Sequence, residues 1–255
     1  MSEAPVGDGR GPGGWAVVAG ASGGVGRAVA LRLAEDGYSV VVCGGDGAGV
    51  EETRSLIEWS GGRAMGLAAD LGDPVVVRGV IGEVAGLLGR APVGVLVNNA
   101  GEVDYGSAED AFDVVFNLNV RVPLLLTGAF APLMATRGAG AIVNVGARVG
   151  TPDKGQVQAA QAALVRLTRL WSVEYGPRGV RVNFVDPGDL LRPRRERHRE
   201  RHSGGVPIGA GDPGEVAEVI RFLVSPRAAY VQGAVLTMNG AEAAPAATRR
   251  PWTPA

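Results

Sequence analysis

The alternation of short β-branched runs with helix-patterned stretches restricts this chain more than any other feature. WAVVAG, YSVVVC, RAMGLAAD, GVLVNN, AIVNVG and VRVNFV recur along it, and AVLTMNG closes the series. Runs this apolar are buried on both faces, which is the condition of a central parallel strand. The stretches between them predict helices over Gly24–Asp36, from the second run to Trp59, and over Pro74–Leu88, Ala108–Met134, Gln156–Tyr175 and Glu215–Leu223. Parallel strands joined by helices require right-handed crossovers that cover both sides of the sheet. The expected fold class is therefore α/β, a doubly wound parallel sheet of about seven strands with helices on both faces.

At 255 residues, 46% hydrophobic and 20% charged, one such core accounts for the whole chain. Residues 14–240 are assigned to a single domain, and the Gly/Pro-rich residues 1–13 and Ala/Pro-rich residues 241–255 read as flexible tails. A net charge of −1 points to neither nucleic acid nor a membrane surface. No uninterrupted apolar run approaches the ~18 residues of a membrane span. Cys43 is the single cysteine and has no internal disulfide partner, and the first residues lack the apolar centre of a secretory signal. A cytoplasmic setting is expected. His198 and His202 stand four apart without a third ligand, so no metal site is expected.

The turn after the first strand reads Gly20-Ala21-Ser22-Gly23-Gly24-Val25-Gly26. Glycines at a strand-to-helix turn let the backbone approach a pyrophosphate, which then rests on the free amides of the next helix. The spacing is GxxxGxG, not the GxGxxG of the other dinucleotide fingerprint. Further landmarks follow: Asp70 and Leu71 in AADLGDP, Asn98-Asn99-Ala100-Gly101, Asn119 in FNLNV, IVNV at Ile142–Val145, RVNFVDPG at Arg181–Gly188, and YVQGAVLTMNG. In these motifs residues 14–240 resemble the short-chain dehydrogenase/reductase family. The resemblance implies a Rossmann-like sheet and a nicotinamide cofactor, NAD or NADP. It implies that Gly20, Gly24 and Gly26 line the pyrophosphate and that Asp70 hydrogen-bonds the adenine. Asn98 and Gly101 would flank the adenosine ribose and Pro187 and Gly188 border the nicotinamide, with Ser22, Val25, Leu71 and Ala100 completing the cofactor-binding set. Asp70 also suits a helix cap, and the NNAG run also suits stiffening of the central strand.

At the end of the second strand the family offers a charged residue for the cofactor's ribose or its extra phosphate. Here the segment is Cys43-Gly44-Gly45-Asp46. The missing charged hydrogen bond corresponds to about 1.5–3 kcal/mol, so weakened cofactor binding is expected. If Asp46 substitutes, its charge favours NAD over NADP by repelling the extra phosphate.

The family moves protons with a Ser, a Tyr and a Lys four residues beyond the Tyr, a spacing that shares one helix face. Registered on AALVRLT and IVNVGARVG, those positions hold Ala147, Val157 and Gln161. Losing the general acid alone costs about 10²–10⁴ in rate. Lys154, the sole lysine, lies seven residues before Gln161 and is expected off its face. Tyr105 follows Gly101 in the loop that lines the family's substrate cleft, and is either a substitute proton donor or a cleft-wall aromatic. Asn119 matches the family's fourth active-site member, or else bridges helix backbone as a buried Asn.

Residues 190–202 carry six arginines against two glutamates, a local charge of +4. In the family this region, residues 189–208 here, is the substrate lid. Arg192, Arg194, Arg195 and Arg197 predict an anionic partner: a carboxylated substrate, a carrier-bound phosphopantetheine or an acidic patch on another subunit. One functional reading is a biosynthetic enzyme for a polycyclic, polyketide-like or acyl small molecule. It would work by NAD(P)H-dependent reduction without the usual relay, or by redox-neutral cyclisation, dehydration or isomerisation. The others are a catalytically inactive subunit paired with an active reductase, and an ordinary oxidoreductase. The helices near Ala108–Met134 and Gln156–Tyr175 predict a homo-oligomer, dimer or tetramer, or a hetero-oligomer.

Overall fold

The computed structural model describes residues 14–89, 91–99, 108–147, 154–188 and 211–238. Along the chain it runs β1 (Trp15–Ala19), α1 (Gly24–Glu35), β2 (Ser39–Gly44), α2 (Gly47–Trp59), β3 (Ala64–Ala68), α3 (Pro74–Leu88) and β4 (Val93–Asn99). It continues through α4 (Ala108–Phe116), α5 (Val122–Thr136), β5 (Gly140–Val145), α6 (Lys154–Tyr175), β6 (Val180–Asp186), α7 (Pro213–Val224) and β7 (Val235–Thr237). The strands form one sheet in the order β3-β2-β1-β4-β5-β6-β7, and every pairing is parallel. The doubly wound expectation therefore holds. Strand order reverses between β1 and β4, leaving a crevice at their carboxyl ends, where ligands bind in sheets of this kind.

Alternation along the strands sorts the core into two layers. Val17, Val41, Leu96, Ile142 and Phe184 pack with Val80 of α3, Leu126 and Phe130 of α5 and Leu164 of α6. Val18, Val42, Val97, Val143 and Val185 face the other way, against Val29 and Leu33 of α1, Ile57 of α2 and Ile220 of α7. Side-chain caps fix the helix starts. Asp46 caps α2, Asp73 caps α3, and Asp212 with Glu215 forms a capping box on α7, each cap stabilising by about 1 kcal/mol.

The long helix expected over Ala108–Met134 is two helices joined by a π turn at Asn117–Arg121. By length and composition alone the run Phe112–Thr136 is long and apolar enough to cross a membrane, a test that a buried core helix also passes. The run is not uninterrupted, because Asp113, Asn117, Asn119 and Arg121 break it. In the fold its Leu126, Phe130 and Met134 lie against the sheet.

Candidate dinucleotide cleft and catalytic positions

Gly20 follows β1 with φ +72°, and a Cβ there would run into the Asn99 carbonyl oxygen at the end of β4. The Asn99 Nδ2 donates to the Gly20 carbonyl at 2.9 Å, so the turn is tied across the crossing point. Gly26 in α1 faces the same turn. A Cβ on it would sit 2.7 Å from the Gly20 carbonyl carbon and 2.8 Å from the Ala21 Cα. By contrast, a Cβ on Gly23 or Gly24 would meet nothing within 4 Å. Val25 faces the core and Ser22 is half-buried. The α1 amides have no side-chain cap at Gly23. Open space above uncapped amides at a helix start fits a pyrophosphate.

Arg27, one residue beyond the glycine motif, was not singled out by sequence, yet it braces this turn. Its guanidinium donates to the Ser22 carbonyl at 2.8 Å and to Thr53 Oγ1 at 3.0 Å, and pairs with Glu52 at 2.6 Å. An arginine beside a glycine turn was a visible signal, but its partners on α2 were not.

At the end of β2, a Cβ on Gly44 would approach Ser22 to 3.2 Å. Asp46 is exposed and accepts the Ala48 amide at 3.1 Å, so the carboxylate expected to meet the ribose also serves as the α2 cap. At the end of β3 the cap suggested for Asp70 belongs to Asp73, which accepts the Val75 amide at 2.7 Å. Asp70, also exposed, accepts the Gly72 amide at 2.9 Å and shapes the turn before the cap. Leu71 is buried in the core.

Asn98 does not present its side chain to the crevice. It is 2% exposed, on the Leu96 side of the strand, and its Nδ2 donates to Asn144 Oδ1 at 2.8 Å and Thr127 Oγ1 at 3.3 Å. Asn144 donates to Thr168 at 2.8 Å, which donates to the Leu164 carbonyl at 2.8 Å. This buried polar chain ties β4 and β5 to α5 and α6, and a ribose contact from Asn98 falls to its backbone. After β6, Pro187 is buried and Gly188 donates its amide to Asp186 at 3.1 Å. Ala100, Gly101, Tyr105, Arg192, Arg194, Arg195, Arg197, both tails and the whole 189–208 lid lie outside the described residues.

Ala147 and Val157, the positions expected to match the family's Ser and Tyr, share one apolar cluster. Val157 packs with Val115 and Ala160, and Ala147, Phe116 and Val120 close the cluster. Phe112 stacks on Phe116 at 4.4 Å between ring centroids. Gln161, one turn beyond Val157, lays its carboxamide over Gly146 at the end of β5. The placement expected for Lys154 needs correction: α6 begins there, and seven residues are two helical turns, which return to the same face. Rise along the axis, about 10 Å, is what separates it from Gln161. Asn119 lies in the π turn, 3% exposed, and donates to the Val115 carbonyl at 2.9 Å. Its Oδ1 is buried without a hydrogen-bond partner. Only one end of the carboxamide engages the helix backbone.

A cavity of about 770 Å³ opens at the amino end of the sheet, lined by Tyr38, Pro92, Arg137, Gly140, Arg181 and Arg221. These residues flank the amino ends of β4, β5 and β6, away from the glycine turn. Topology, not cavity size, locates the ligand crevice here.

The profile of the enoyl-(acyl carrier protein) reductase family matches residues 20–240. The (3R)-3-hydroxyacyl-CoA dehydrogenase of Mus musculus is 31% identical over 245 residues, spanning 88% of this chain and 94% of its own. The 3-oxoacyl-(acyl-carrier-protein) reductase of Thermotoga maritima is 33% identical, spanning 88% and 95%. A Beutenbergia cavernae structure, described as an NAD(P)-dependent gluconate 5-dehydrogenase with NADP bound at low occupancy, superimposes with a TM-score of 0.76. It is 31% identical over 89% of this chain and 95% of its own. With glycine turn, strand order and these matches in agreement along most of its length, the chain belongs to the short-chain dehydrogenase/reductase family.

Proposed function

We propose that the protein binds a nicotinamide dinucleotide across the β1/β4 crossing and acts on an acyl or polycyclic small molecule without the family's side-chain proton relay. The reaction is either reduction of a substrate that carries its own acidic proton or a redox-neutral step such as cyclisation, dehydration or isomerisation. One observation carries this reading: Ala147 and Val157 belong to a single hydrophobic cluster, with no hydroxyl among its members. Bound cofactor supplies the hydride. The chain's own residues supply the glycine turn and α1 amides for the pyrophosphate, and an apolar niche that keeps water from the reacting group. Asp46, exposed at the end of β2, disfavours the extra phosphate of NADP. Without a charged ribose contact from Gly44 or Gly45, affinity is about tenfold to a hundredfold lower than in a chain that has one. An acyl substrate is supported by the acyl dehydrogenase and reductase relatives.

Leu124 and Leu133 of α5 and Leu170 and Val173 of α6 are 45–77% exposed. This face supports a homo-oligomer, and it also supports a second reading, a subunit partnering an active reductase. A cytoplasmic setting is part of the proposal, in keeping with the buried free thiol of Cys43.

The test is titration with NADH and NADPH, followed by NADH oxidation against a 3-oxoacyl thioester. Wild type is compared with the triple variant Ala147→Ser, Val157→Tyr, Gln161→Lys. NADH should bind more tightly than NADPH, and the triple variant should turn over at least about 10²-fold faster. No binding of either cofactor at millimolar concentration overturns the cofactor, and wild-type turnover equal to the triple overturns the lost relay. Turnover seen only after co-expression with a partner reductase selects the second reading.

A further inference from the structure

We infer that the cavity at the amino end of the sheet is a second small-molecule site, separate from the dinucleotide crevice, which takes an organic monocarboxylate with an apolar body. Its volume of about 770 Å³ is that of a site for a drug-sized ligand. The carboxylates in its lining are already taken. Asp36, which follows α1, accepts from Arg221 of α7 at 2.8 Å, and Glu218 pairs with Arg32 at 2.8 Å and with Arg221 at 3.6 Å. Two other lining cations, Arg181 and Arg227, have no carboxylate among the described residues. Arg181 donates only to neutral carbonyls, those of Leu223, Val224, Ser225 and Ala228, and burial pushes its pKa down with no acidic side chain to offset it. Arg227, exposed in the turn after α7, exchanges neither a hydrogen bond nor an ion pair with any described residue. Uncompensated positive charge around a concave space draws an anion.

The rest of the lining selects which anion. Tyr38 is half-buried, and its hydroxyl has no hydrogen-bond partner among the described residues. Burial, and then Asp36, push this phenol above its ordinary value, so it keeps its proton and donates. A guanidinium and a phenol that both donate suit a group that only accepts, as a carboxylate does. Asp36 and Glu218 line the same space, so a phosphate dianion meets twice the repulsion that a monoanion meets. Phe222, 41% exposed, and Pro92 and Pro226 beside it in the lining leave apolar surface for the body of the ligand. β4 runs seven residues, Val93–Asn99, from the cavity to the crevice, about 20 Å. The two sites therefore fill independently.

Calorimetric titration of the full chain with 2-naphthoate, its neutral amide and 2-naphthyl phosphate tests this. Naphthoate should bind most tightly of the three, and with unchanged affinity when NADH is also present. Arg227→Gln and Tyr38→Phe should each weaken naphthoate by about fivefold and leave the amide within about twofold. Neither variant loses a protein hydrogen bond, so the melting temperature of both ligand-free proteins should stay at the wild-type value. No naphthoate binding at millimolar concentration, amide binding as tight as naphthoate, or naphthoate affinity unchanged in both variants overturns the site. Displacement of naphthoate by NADH places the probe in the crevice and overturns it as well, and tighter binding of the phosphate overturns the choice of a monocarboxylate.

Discussion

Gly23→Ala and Gly26→Ala separate what the glycine turn does for the fold from what it does for a ligand. At Gly26 the added Cβ lies 2.7 Å from the Gly20 carbonyl carbon and 2.8 Å from the Ala21 Cα, against about 3.5–4.0 Å for ordinary carbon contacts. Both are backbone atoms of a turn already pinned by Asn99 at 2.9 Å and by the Ala21 amide to Cys43 at 2.9 Å. The far end of α1 is held as well, where Arg221 of α7 donates to Asp36 at 2.8 Å. Relief therefore requires the start of α1 to lift by most of an ångström. Overpacking of this kind costs about 1–3 kcal/mol, which in a chain of this length lowers the melting temperature by about 2–12 °C. Gly23 has extended backbone at φ −174°, and its Cβ would enter open space. Only the cap preference is lost, at most about 1 kcal/mol or about 4 °C. If a pyrophosphate fills that space, the methyl excludes it, and NADH affinity falls at least about tenfold while the fold stays nearly as stable. Scanning calorimetry and NADH titration on both variants read this out. A Gly23→Ala protein that binds NADH like wild type, or a Gly26→Ala protein that melts like wild type, refutes the assignment.

Arg181 donates to the carbonyls of Leu223, Val224, Ser225 and Ala228 at the end of α7. Arg181→Met strips these acceptors of a charged donor, and urea unfolding should show a loss of about 1.5–3 kcal/mol. Burial, with Glu83 nearby, pushes the Cys43 thiol from 9.0 up to about 12. The unfolded chain therefore gives up this proton first as pH rises. Stability is fully present below pH 9.0 and declines above it, by up to about 1.4 kcal/mol per pH unit, until the folded thiol ionises near 12. Cys43→Ala should flatten this alkaline decline in a series of urea midpoints, and parallel curves would contradict it. Arg27→Met frees the Ser22 carbonyl and Thr53, and should weaken NADH binding severalfold in the same titration.

Much of this molecule was legible because its periodicities are local. The helix expected at about Pro74–Leu88 matches α3, and the strand runs fall within a residue or two of their observed limits except the last, which extends three residues beyond Thr237. The π turn at Asn117–Arg121 was not legible, since a single inserted residue leaves the helical pattern of FNLNV almost unchanged. Side-chain direction at the site was the harder part. Asn98 and Asn99 are adjacent in sequence, yet strand alternation sends the first into the Asn144–Thr168 network and the second to Gly20. A motif names both residues without saying which one turns inward. Asp70 and Asp73 present the same difficulty: both suit a cap, and only the geometry shows that Asp73 takes it.

Glycine retention in the turn carries two messages of unequal weight. Gly20 and Gly26 are required by backbone contacts at the crossing point, with or without a ligand, so their survival follows from the fold. Gly23 and Gly24 face open space, and no packing demand in the described structure explains the absence of a side chain there. At Gly24 the backbone itself, at φ +52°, calls for glycine, so Gly23 is the position that argues for an approaching ligand. The relay positions follow the opposite logic. A tyrosine hydroxyl at 157 would stand among Val115 and Ala160, where an unpaired polar group is costly unless its chemistry is in use. Once one member of a cooperating set is lost, the others no longer protect rate, and apolar packing becomes the better use of the site. Gln161 escapes that pressure because its carboxamide lies over Gly146 rather than within the cluster.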